Sequence, residues 1–472
     1  MIVFGKELVF LGITLTDDRK FYRRVLATAL PMMAQNAIST FVSLLDNLMV
    51  GQLSTAQIGG VTIINNNLLF IFYLCLFGVT AGAGIFTTQF YGSGDNEGIR
   101  YAVRFKLLTS LVTTVLGVCL FLVAGKQLIG IYLQAEDAPQ LAEETLFYAG
   151  KYLRIMLLGL LPFGITAAYA GTLKVCGHPT VALIASLGAT VVNIFGNWVF
   201  IFGNLGCPAL GIEGAAIATV IARYVEMLIV VLWCHLNTKK VPYIKGLYKS
   251  LRIPGRLLKN IASKAAVLLL NESMWALGIA SLNQCYSIWS QEVNAALGIS
   301  ATLFNMASIS FKAFGSTVGI ITGQMLGADT PEKELRRANT KMTLLCAAFG
   351  IVFAAAMASA SPFFPKLYQT TDTVRALASG FILIAALDVV LQSYIYPVYF
   401  TLRAGGKTFA TFLFDCGAIW LLSLPLAFVL SRFTQLHIFV IYTIVTCVGV
   451  IKSLIGVFMI RSGKWIQKLT IK

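Results

Sequence analysis

Long apolar stretches alternate with short polar connections along almost the whole chain of 472 residues. A helix that crosses a bilayer needs about 20 mainly apolar residues, and this template fits the chain repeatedly. The sequence therefore predicts an all-α polytopic membrane protein with about twelve transmembrane helices. The predicted spans are residues 26–50, 58–91, 103–131, 147–173, 180–203, 211–236, 262–290, 295–327, 339–364, 376–402, 408–431 and 437–460.

The composition agrees with a membrane environment. Hydrophobic residues make up 57% of the chain and charged residues only 12%, whereas soluble proteins have about 25% charged residues. A net charge of +16 is also typical of proteins that bind nucleic acid. Here the basic residues lie in short connections between apolar stretches, so we expect lipid contact and no nucleic-acid partner.

The distribution of Lys and Arg predicts the orientation, because cytoplasmic connections are enriched in these residues. An even number of spans places both termini on the basic side. We therefore expect a multi-pass protein of the cell (inner) membrane with cytoplasmic N- and C-termini. The opposite side is poorer in basic residues and includes the acidic connection 136–144. The basic connections contain Arg100, Arg104, Lys174, Lys239, Lys240, Lys245, Lys249, Arg252, Arg256, Lys259, Lys333, Arg336, Arg337, Lys341, Arg403, Lys407, Arg461, Lys464 and Lys468.

Two sequence matches indicate that the chain consists of two related halves. Residues 84–92 and 319–327 share the frame G-I-x-T-x-Q-x-x-G, and residues 173–177 match residues 402–406 at nearly the same offset. Repeats in transporters form a substrate site at their interface, near the bilayer midplane. The predicted organisation is an N-terminal segment 1–25, a six-helix lobe 26–236, a basic cytoplasmic linker 237–261, a six-helix lobe 262–460 and a cytoplasmic tail 461–472.

Polar groups inside the predicted spans of the first half are candidates for an ion or proton site. A charged group at mid-bilayer costs about 2.5–3.5 kcal/mol on insertion scales, and Asp46 ends a polar stripe on the first span. Asn193 and Asn197 share a face of the fifth span, so their carbonyl oxygens could ligate a cation beside Asp46. The alternative is a structural Asp46 with asparagines that join helices through hydrogen bonds.

The seventh predicted span carries a second candidate set. Glu272, Trp275, Asn283 and Tyr286 recur on one face of this helix. A carboxylate beside aromatic rings suits a lipophilic organic cation, through charge attraction and cation–π contact. Alternatively, the two aromatic residues are ordinary packing or interfacial side chains.

The eighth and tenth predicted spans also carry charged residues. Asp388, Gln392 and Tyr399 share a face of the tenth span, and Lys312 lies on a polar face of the eighth. Glu272 and Asp388 are candidate sodium ligands, and either carboxylate can instead carry a proton. A salt bridge from Asp388 to another helix is the alternative. Lys312 is interpreted as a charge-compensating residue, either static or acting in one state of a transport cycle.

Taken together, these motifs resemble the MATE (multidrug and toxin extrusion) family of transporters. Pro31 opening the first span, followed by D-N-L-M-V-G at 46–51, resembles the family's P…D-x-x-M-V/A-G start. N-x-x-G-N at 193–197, followed by L-G-I-x-G-A-A at 210–216, resembles its passage from the fifth to the sixth helix. The resemblance covers nearly the whole chain, from about residue 26 to residue 460.

The resemblance implies two six-helix lobes around a central cavity. It also implies export of drugs or metabolites, often cationic, driven by inward sodium ions or protons. Asp46 stands at the family's first-helix acid, and Glu272 lies close to the seventh-helix acid of the sodium-driven branch. The tenth helix departs from the pattern, because Gln392 occupies the usual aspartate position and Asp388 lies one turn earlier on the same face.

We therefore expect a secondary antiporter that works by alternating access, without a cofactor and as a monomer. It would export a small, cationic organic substrate in exchange for Na⁺ or H⁺. The alternative from the same superfamily is a flippase for a lipid-linked saccharide, which should line its cavity with Lys or Arg. A membrane-embedded enzyme is the third hypothesis, and the sequence has no G-x-x-x-x-G-K, H-E-x-x-H or G-x-S-x-G motif to support it.

The predicted orientation can be tested on the basic linker. Cysteines introduced at Lys245 and Lys249, in a chain without its native cysteines, should resist an impermeant thiol reagent in intact cells. They should react once the membrane is permeabilised, because the positive-inside rule places the linker in the cytoplasm. Labelling of intact cells would invert the topology.

Overall fold

The computed structural model describes residues 2–4, 7–10, 13–14, 19–133 and 139–470, and these residues form an almost entirely helical protein. A short antiparallel sheet in the order β1-β2-β3 precedes the helices, with β1 at Ile2–Phe4, β2 at Glu7–Phe10 and β3 at Ile13–Thr14. The helices are α1 Arg19–Val50, α2 Thr55–Ile63, α3 Leu69–Gly92, α4 Asn96–Gly130, α5 Pro139–Leu157, α6 Leu160–Val175, α7 Pro179–Phe202, α8 Ile212–Leu236, α9 Gly255–Ser287, α10 Gln291–Gly327, α11 Glu332–Ala360, α12 Asp372–Ala404, α13 Thr408–Phe412, α14 Leu424–Phe433 and α15 Ile438–Arg461.

The described residues contain eleven helices long and apolar enough to cross a membrane. Two of these are composite: α2 and α3 join through a π-helical turn, and α13 joins α14 through two such turns. The pair α5 and α6, bent by 47°, makes up a twelfth span if counted as one. The prediction of an all-α protein with about twelve spans is confirmed. Many large apolar side chains face outward, such as Val123 with 81% of its surface exposed, which suits a lipid-facing surface.

Helix ends extend beyond the predicted spans. We expected the first span to begin near residue 26 with Pro31 at its start, but α1 begins at Arg19 and Pro31 lies inside it. The apolar pattern marks only the part of a helix that sits in hydrocarbon, whereas helical hydrogen bonding continues into polar residues. In the predicted acidic connection 136–144, residues 136–138 lie outside the described part of the chain, and the rest begins α5.

The chain divides into two compact units. The first consists of Met1–Met33, Thr88–Gly94 and Leu270–Lys472, and the second of Ala34–Thr87 and Asp95–Leu269. In the first unit α12 packs against α10, α11 and α15, and in the second α8 packs against α5, α6 and α7. Each unit has its own buried apolar cluster, the second unit's running from Val50 to Val220. The predicted lobe boundaries stay a prediction.

The glutamine and final glycine of the repeated G-I-x-T-x-Q-x-x-G frame have a structural role in the first unit. An added Cβ at Gly92 would overlap the backbone oxygen of Gln324, and one at Gly327 would overlap that of Gln89. The ends of α3 and α10 therefore cross at backbone contact, and the two copies make the same contact reciprocally. The Gln89 side chain donates to the carbonyl oxygens of Ala404 at 2.9 Å and Gln467 at 3.1 Å.

This crossing predicts that glycine is required at the end of each frame. Gly327→Ala should destabilise the protein by about 1–3 kcal/mol, because overpacking against backbone cannot be relieved by a rotamer change. Gly84→Ala, in the same frame of α3 but with open space around its Cβ position, is the control and should be neutral or stabilising. Thermal unfolding of the purified variants measures both effects, and equal midpoints would contradict the crossing.

Candidate functional site

The second unit contains a polar cluster built on Asp46. The amide of Asn197 donates to Oδ1 of Asp46 at 2.6 Å and to the side-chain oxygen of Asn193 at 3.4 Å. Asn193 in turn donates to the hydroxyl of Thr219 on α8 at 3.3 Å. The structure thus places Asn193 and Asn197 beside Asp46, where the helical spacing predicted them.

Close packing of α7 on α8 holds this cluster. Gly196 precedes Asn197, and a Cβ at this position would lie 2.9 Å from Cβ of Ala218, so glycine lets the two helices approach. Asn193 and Asn197 are both buried. Both amide protons of Asn197 are directed at carboxylate or carbonyl oxygens, and its buried Oδ1 accepts no hydrogen bond. An unused carbonyl oxygen next to a carboxylate is a suitable ligand pair for a cation.

Asp46 is half-buried and forms no salt bridge with any Lys or Arg in the described part of the chain. A carboxylate in a membrane span without a basic partner must be neutralised by a proton or a bound cation, or must face water. The geometry of the cluster allows any of these, because Asn197 occupies only one oxygen of the carboxylate.

The first unit contains a longer polar network around Glu272. The hydroxyl of Tyr399 donates to Oε1 of Glu272 at 3.3 Å, and Asn271 donates to that hydroxyl oxygen at 3.3 Å. Asn271 also lies 3.3 Å from Oδ2 of Asp415. Asp415 forms a salt bridge of 2.7 Å with Lys452 on α15. Side-chain hydrogen bonds thereby join four transmembrane segments, which are α9, α12, the span containing the π-helical turn at 413–417, and α15.

Asn271, Asp415 and Lys452 were missed by the sequence analysis. Asp415 and Lys452 lie inside the predicted spans 408–431 and 437–460, so the rule that every embedded charge needs a reason would have identified both. Their pairing could not be predicted, since Asp415 sits in the π-helical turn Leu413–Gly417. Such turns shift side chains away from the ordinary helical faces and are frequent at functional sites.

The predicted aromatic face of α9 is only partly assembled at this network. Trp275 is half-buried one turn from Glu272, and Asn283 is exposed. Tyr286 is buried in an apolar cluster, where its ring meets Tyr442 edge-on at 5.4 Å. Fourteen residues of helix separate Tyr286 from Glu272, or about 21 Å at the usual rise, so the structure does not bring this pair together.

Asp388 lies on α12, and no hydrogen bond among the described residues links it to the network around Glu272. Its Oδ1 accepts a hydrogen bond of 3.1 Å from Gln392, and no salt bridge involves it in the described residues. Lys312 has an exposed side chain, with no hydrogen bond or ion pair to any described residue. The described residues gather no group of three or more His, Cys, Asp and Glu that could hold a metal ion. Sodium at Glu272 or Asp388 would therefore rely on hydroxyl, amide or water oxygens.

The comparison with known families agrees with this architecture. The family model described as MatE matches residues 31–199 and 270–429, which is more than half of the chain. The chain belongs to the MATE family. MATE proteins are multidrug efflux transporters, so this is a multi-pass membrane transporter of a family whose substrates are small molecules.

Two relatives and a solved structure illustrate the likeness. A probable multidrug resistance protein NorM of Thermotoga maritima is 23% identical over 452 residues, which cover 94% of this chain and 93% of the relative. A probable multidrug resistance protein YoeA of Bacillus subtilis is 23% identical over 412 residues, 86% of each chain. A crystal structure of MATE in the straight conformation aligns with a TM-score of 0.83 at 17% identity, covering 94% of this chain and 96% of that chain. The expected MATE fold is confirmed.

The Lys452–Asp415 pair predicts a large effect of breaking it. Both side chains are nearly buried, with 12% and 16% exposure, so Asp415→Asn should destabilise the protein by about 3–5 kcal/mol by leaving Lys452 unpaired. The double variant Asp415→Asn, Lys452→Gln should recover most of that loss in thermal unfolding.

A matched control is the ion pair of Asp372 and Arg375, in which the Asp372 side chain is 96% exposed. Asp372→Asn should change stability by no more than about 1 kcal/mol. If Asp415→Asn lowers the stability no more than this control does, the Asp415–Lys452 pair contributes no more stability than a surface ion pair. If the double variant is no more stable than Asp415→Asn, the loss does not come from an unpaired lysine.

Proposed function

We propose that this MATE transporter is a secondary antiporter that exports a small organic cation in exchange for Na⁺ or H⁺ by alternating access. The observation that carries the proposal is Asp46, an embedded carboxylate held by Asn197 at 2.6 Å and without a salt-bridge partner among the described residues. A group of this kind can take up and release a cation, because its neutralising charge is not built into the fold.

The contrast with Asp415 supports this assignment. Asp415 is permanently compensated by Lys452, so binding a further cation there would leave excess positive charge in a buried site. In the described part of the chain, the hydrogen bonds that Asp46, Glu272 and Asp388 accept come from the neutral amides of Asn197 and Gln392 and the phenol of Tyr399. These three carboxylates are therefore the candidates for carrying the coupling ion, and Asp46 has the more complete set of cation-binding oxygens.

The energy available from an ion gradient is sufficient for export. One positive charge moving inward across 100 mV releases about 2.3 kcal/mol, and a tenfold ion gradient adds about 1.4 kcal/mol. With a neutral substrate, the sum of about 3.7 kcal/mol sustains a substrate gradient of a few hundredfold. With a monovalent cationic substrate exchanging one for one, the electrical contribution cancels and the ion gradient alone remains.

An organic cation and a coupling ion would compete for the same negative charge, which is the simplest form of exchange. Glu272 with the half-buried Trp275 one turn away offers a carboxylate and an indole for a lipophilic cation. Na⁺ would use the oxygens of Asn193, Asn197 or Gln392, whereas H⁺ needs only a carboxylate. The cytoplasmic placement of both termini in the cell membrane belongs to this proposal and rests on the distribution of Lys and Arg.

The test is ion-driven export in proteoliposomes with Asp46→Asn, Glu272→Gln and Asp388→Asn, under sodium and proton gradients imposed separately. Asp46→Asn should abolish export under either gradient while membrane insertion is kept, because a costly embedded charge is removed. Glu272→Gln and Asp388→Asn should reduce binding of an organic cation more than they reduce ion binding.

The exposed acid Asp372 supplies the matched control, since Asp372→Asn removes a carboxylate outside the embedded clusters and should leave export unchanged. Full ion-driven export by Asp46→Asn would contradict the proposed role of Asp46. Export by the unaltered protein that needs neither gradient would contradict antiport itself.

A further inference from the structure

A basic cavity lies where the start of α4 meets the linker between α8 and α9, within the second unit. It has a volume of about 650 Å³ and an open mouth. Five cationic side chains and a single carboxylate, that of Glu97, line the cavity. The Glu97 carboxylate accepts a hydrogen bond from the hydroxyl of Tyr101. The five cationic residues are Arg100, Arg104, Lys245, Lys249 and Arg252. Such an excess of positive charge in a concave site favours an anion.

The linker is a folded part of the protein. Val241, Tyr243, Ile244 and Leu247 are buried, and two short 3₁₀ turns at Pro242–Ile244 and Leu247–Lys249 shape the chain between them. These buried side chains anchor the linker, and the exposed Lys245 and Lys249 between and after them line the cavity.

Arg104 fixes the floor of the cavity. Its guanidinium donates to the backbone oxygens of Leu247 at 2.8 Å, Gly246 at 3.0 Å and Arg252 at 3.1 Å. Nε of Arg100 similarly donates to the oxygen of Tyr243 at 3.3 Å. These two arginines therefore build the site through neutral carbonyl groups, which leaves their positive charge uncompensated.

The remaining cations are available to a ligand. The side chains of Lys245, Lys249 and Arg252 are exposed and form no hydrogen bond or ion pair with a described residue. Three exposed cationic groups beside two guanidinium groups held by backbone carbonyls match the several oxygens of a phosphate, which accepts bonds from Arg and Lys alike.

Exposed apolar side chains lie next to the cavity's cationic residues in the sequence. Tyr248 and Leu251 alternate with the cationic residues along the linker and are 58% and 60% exposed. A soluble phosphate would gain nothing from them, whereas a phospholipid places its phosphate among basic groups and its acyl chains against apolar ones. The position of the linker directly after one transmembrane helix and before the next keeps both surfaces near the bilayer boundary.

We propose that this cavity binds the phosphate-bearing headgroup of an acidic phospholipid from the membrane leaflet that it faces. The site joins the linker to α4 and so places a lipid-dependent contact inside the second unit. It is separate from the embedded carboxylates, and its occupancy does not depend on the substrate or coupling ion of the transporter.

The experiment titrates the purified full-length protein in detergent with dioleoylphosphatidylglycerol, dioleoylphosphatidylcholine or inorganic phosphate, following the thermal midpoint and lipid adducts by native mass spectrometry. The phosphatidylglycerol should raise the midpoint, and the other two should not. Lys245→Gln with Lys249→Gln should weaken phosphatidylglycerol binding about 30-fold, at roughly 1 kcal/mol per lysine.

The matched control is Lys239→Gln with Lys259→Gln, which removes the same charge from exposed positions flanking the cavity but outside its lining. It should bind the lipid as the unaltered protein does, and both double variants should unfold at the unaltered midpoint without lipid. If the control variant loses as much phosphatidylglycerol binding, the lipid is held by general surface charge and not by this cavity. If phosphatidylcholine raises the midpoint as much as phosphatidylglycerol does, the cavity does not select an acidic lipid. If inorganic phosphate alone raises the midpoint, the cavity binds a soluble anion and the proposal is wrong.

Discussion

The cost of placing a charge in hydrocarbon governs how this structure is arranged. The fold meets that cost in two different ways. Asp415 is paired with Lys452 at 2.7 Å and tied through Asn271 to the hydroxyl that also serves Glu272, so its charge is balanced whatever else is bound. Among the described residues, Asp46 receives one hydrogen bond, from the Asn197 amide, so its charge must be balanced by a proton or an ion, or solvated by water. One acid therefore stabilises the fold, and the other is open to exchange.

Much of the fold was predictable because the membrane limits the choices. Backbone groups in lipid must bond within their own segment, so apolar stretches of sufficient length become helices. Their ends were predicted less well, as α1 shows by continuing from Pro31 back to Arg19. The apolar stretch of the sequence marks the part of a helix that lies in lipid, whereas backbone hydrogen bonding of the helix continues until a cap or a turn ends it. The bend between α5 and α6 and the π-helical turns are likewise set by tertiary packing.

The candidate site was predictable where spacing within one helix decides it. Asn193 and Asn197 share a face by their four-residue separation, and an embedded acid has few possible partners, so their meeting with Asp46 could be anticipated. The network in the first unit depends instead on which helices are neighbours. Tyr286 has the right spacing from Glu272 but lies about 21 Å along α9, in the apolar cluster with Tyr442. Residues that share a helical face over four turns therefore need not belong to the same binding site.

The two halves of the sequence share a repeated packing motif but not the same arrangement of embedded acids. The repeated frame is used in both copies for the same contact, with Gly92 against Gln324 and Gly327 against Gln89, so its symmetry is a requirement of backbone packing. The embedded acids do not follow this symmetry. Lys452 brings a fixed positive charge to the first unit, whereas the Asp46 cluster of the second unit contains only amides and a hydroxyl. Packing constraints thus act on both copies of the frame in the same way, whereas the acids of the two units differ. The first unit has the fixed Asp415–Lys452 pair in addition to Glu272 and Asp388, and the second has Asp46 without a salt-bridge partner among the described residues.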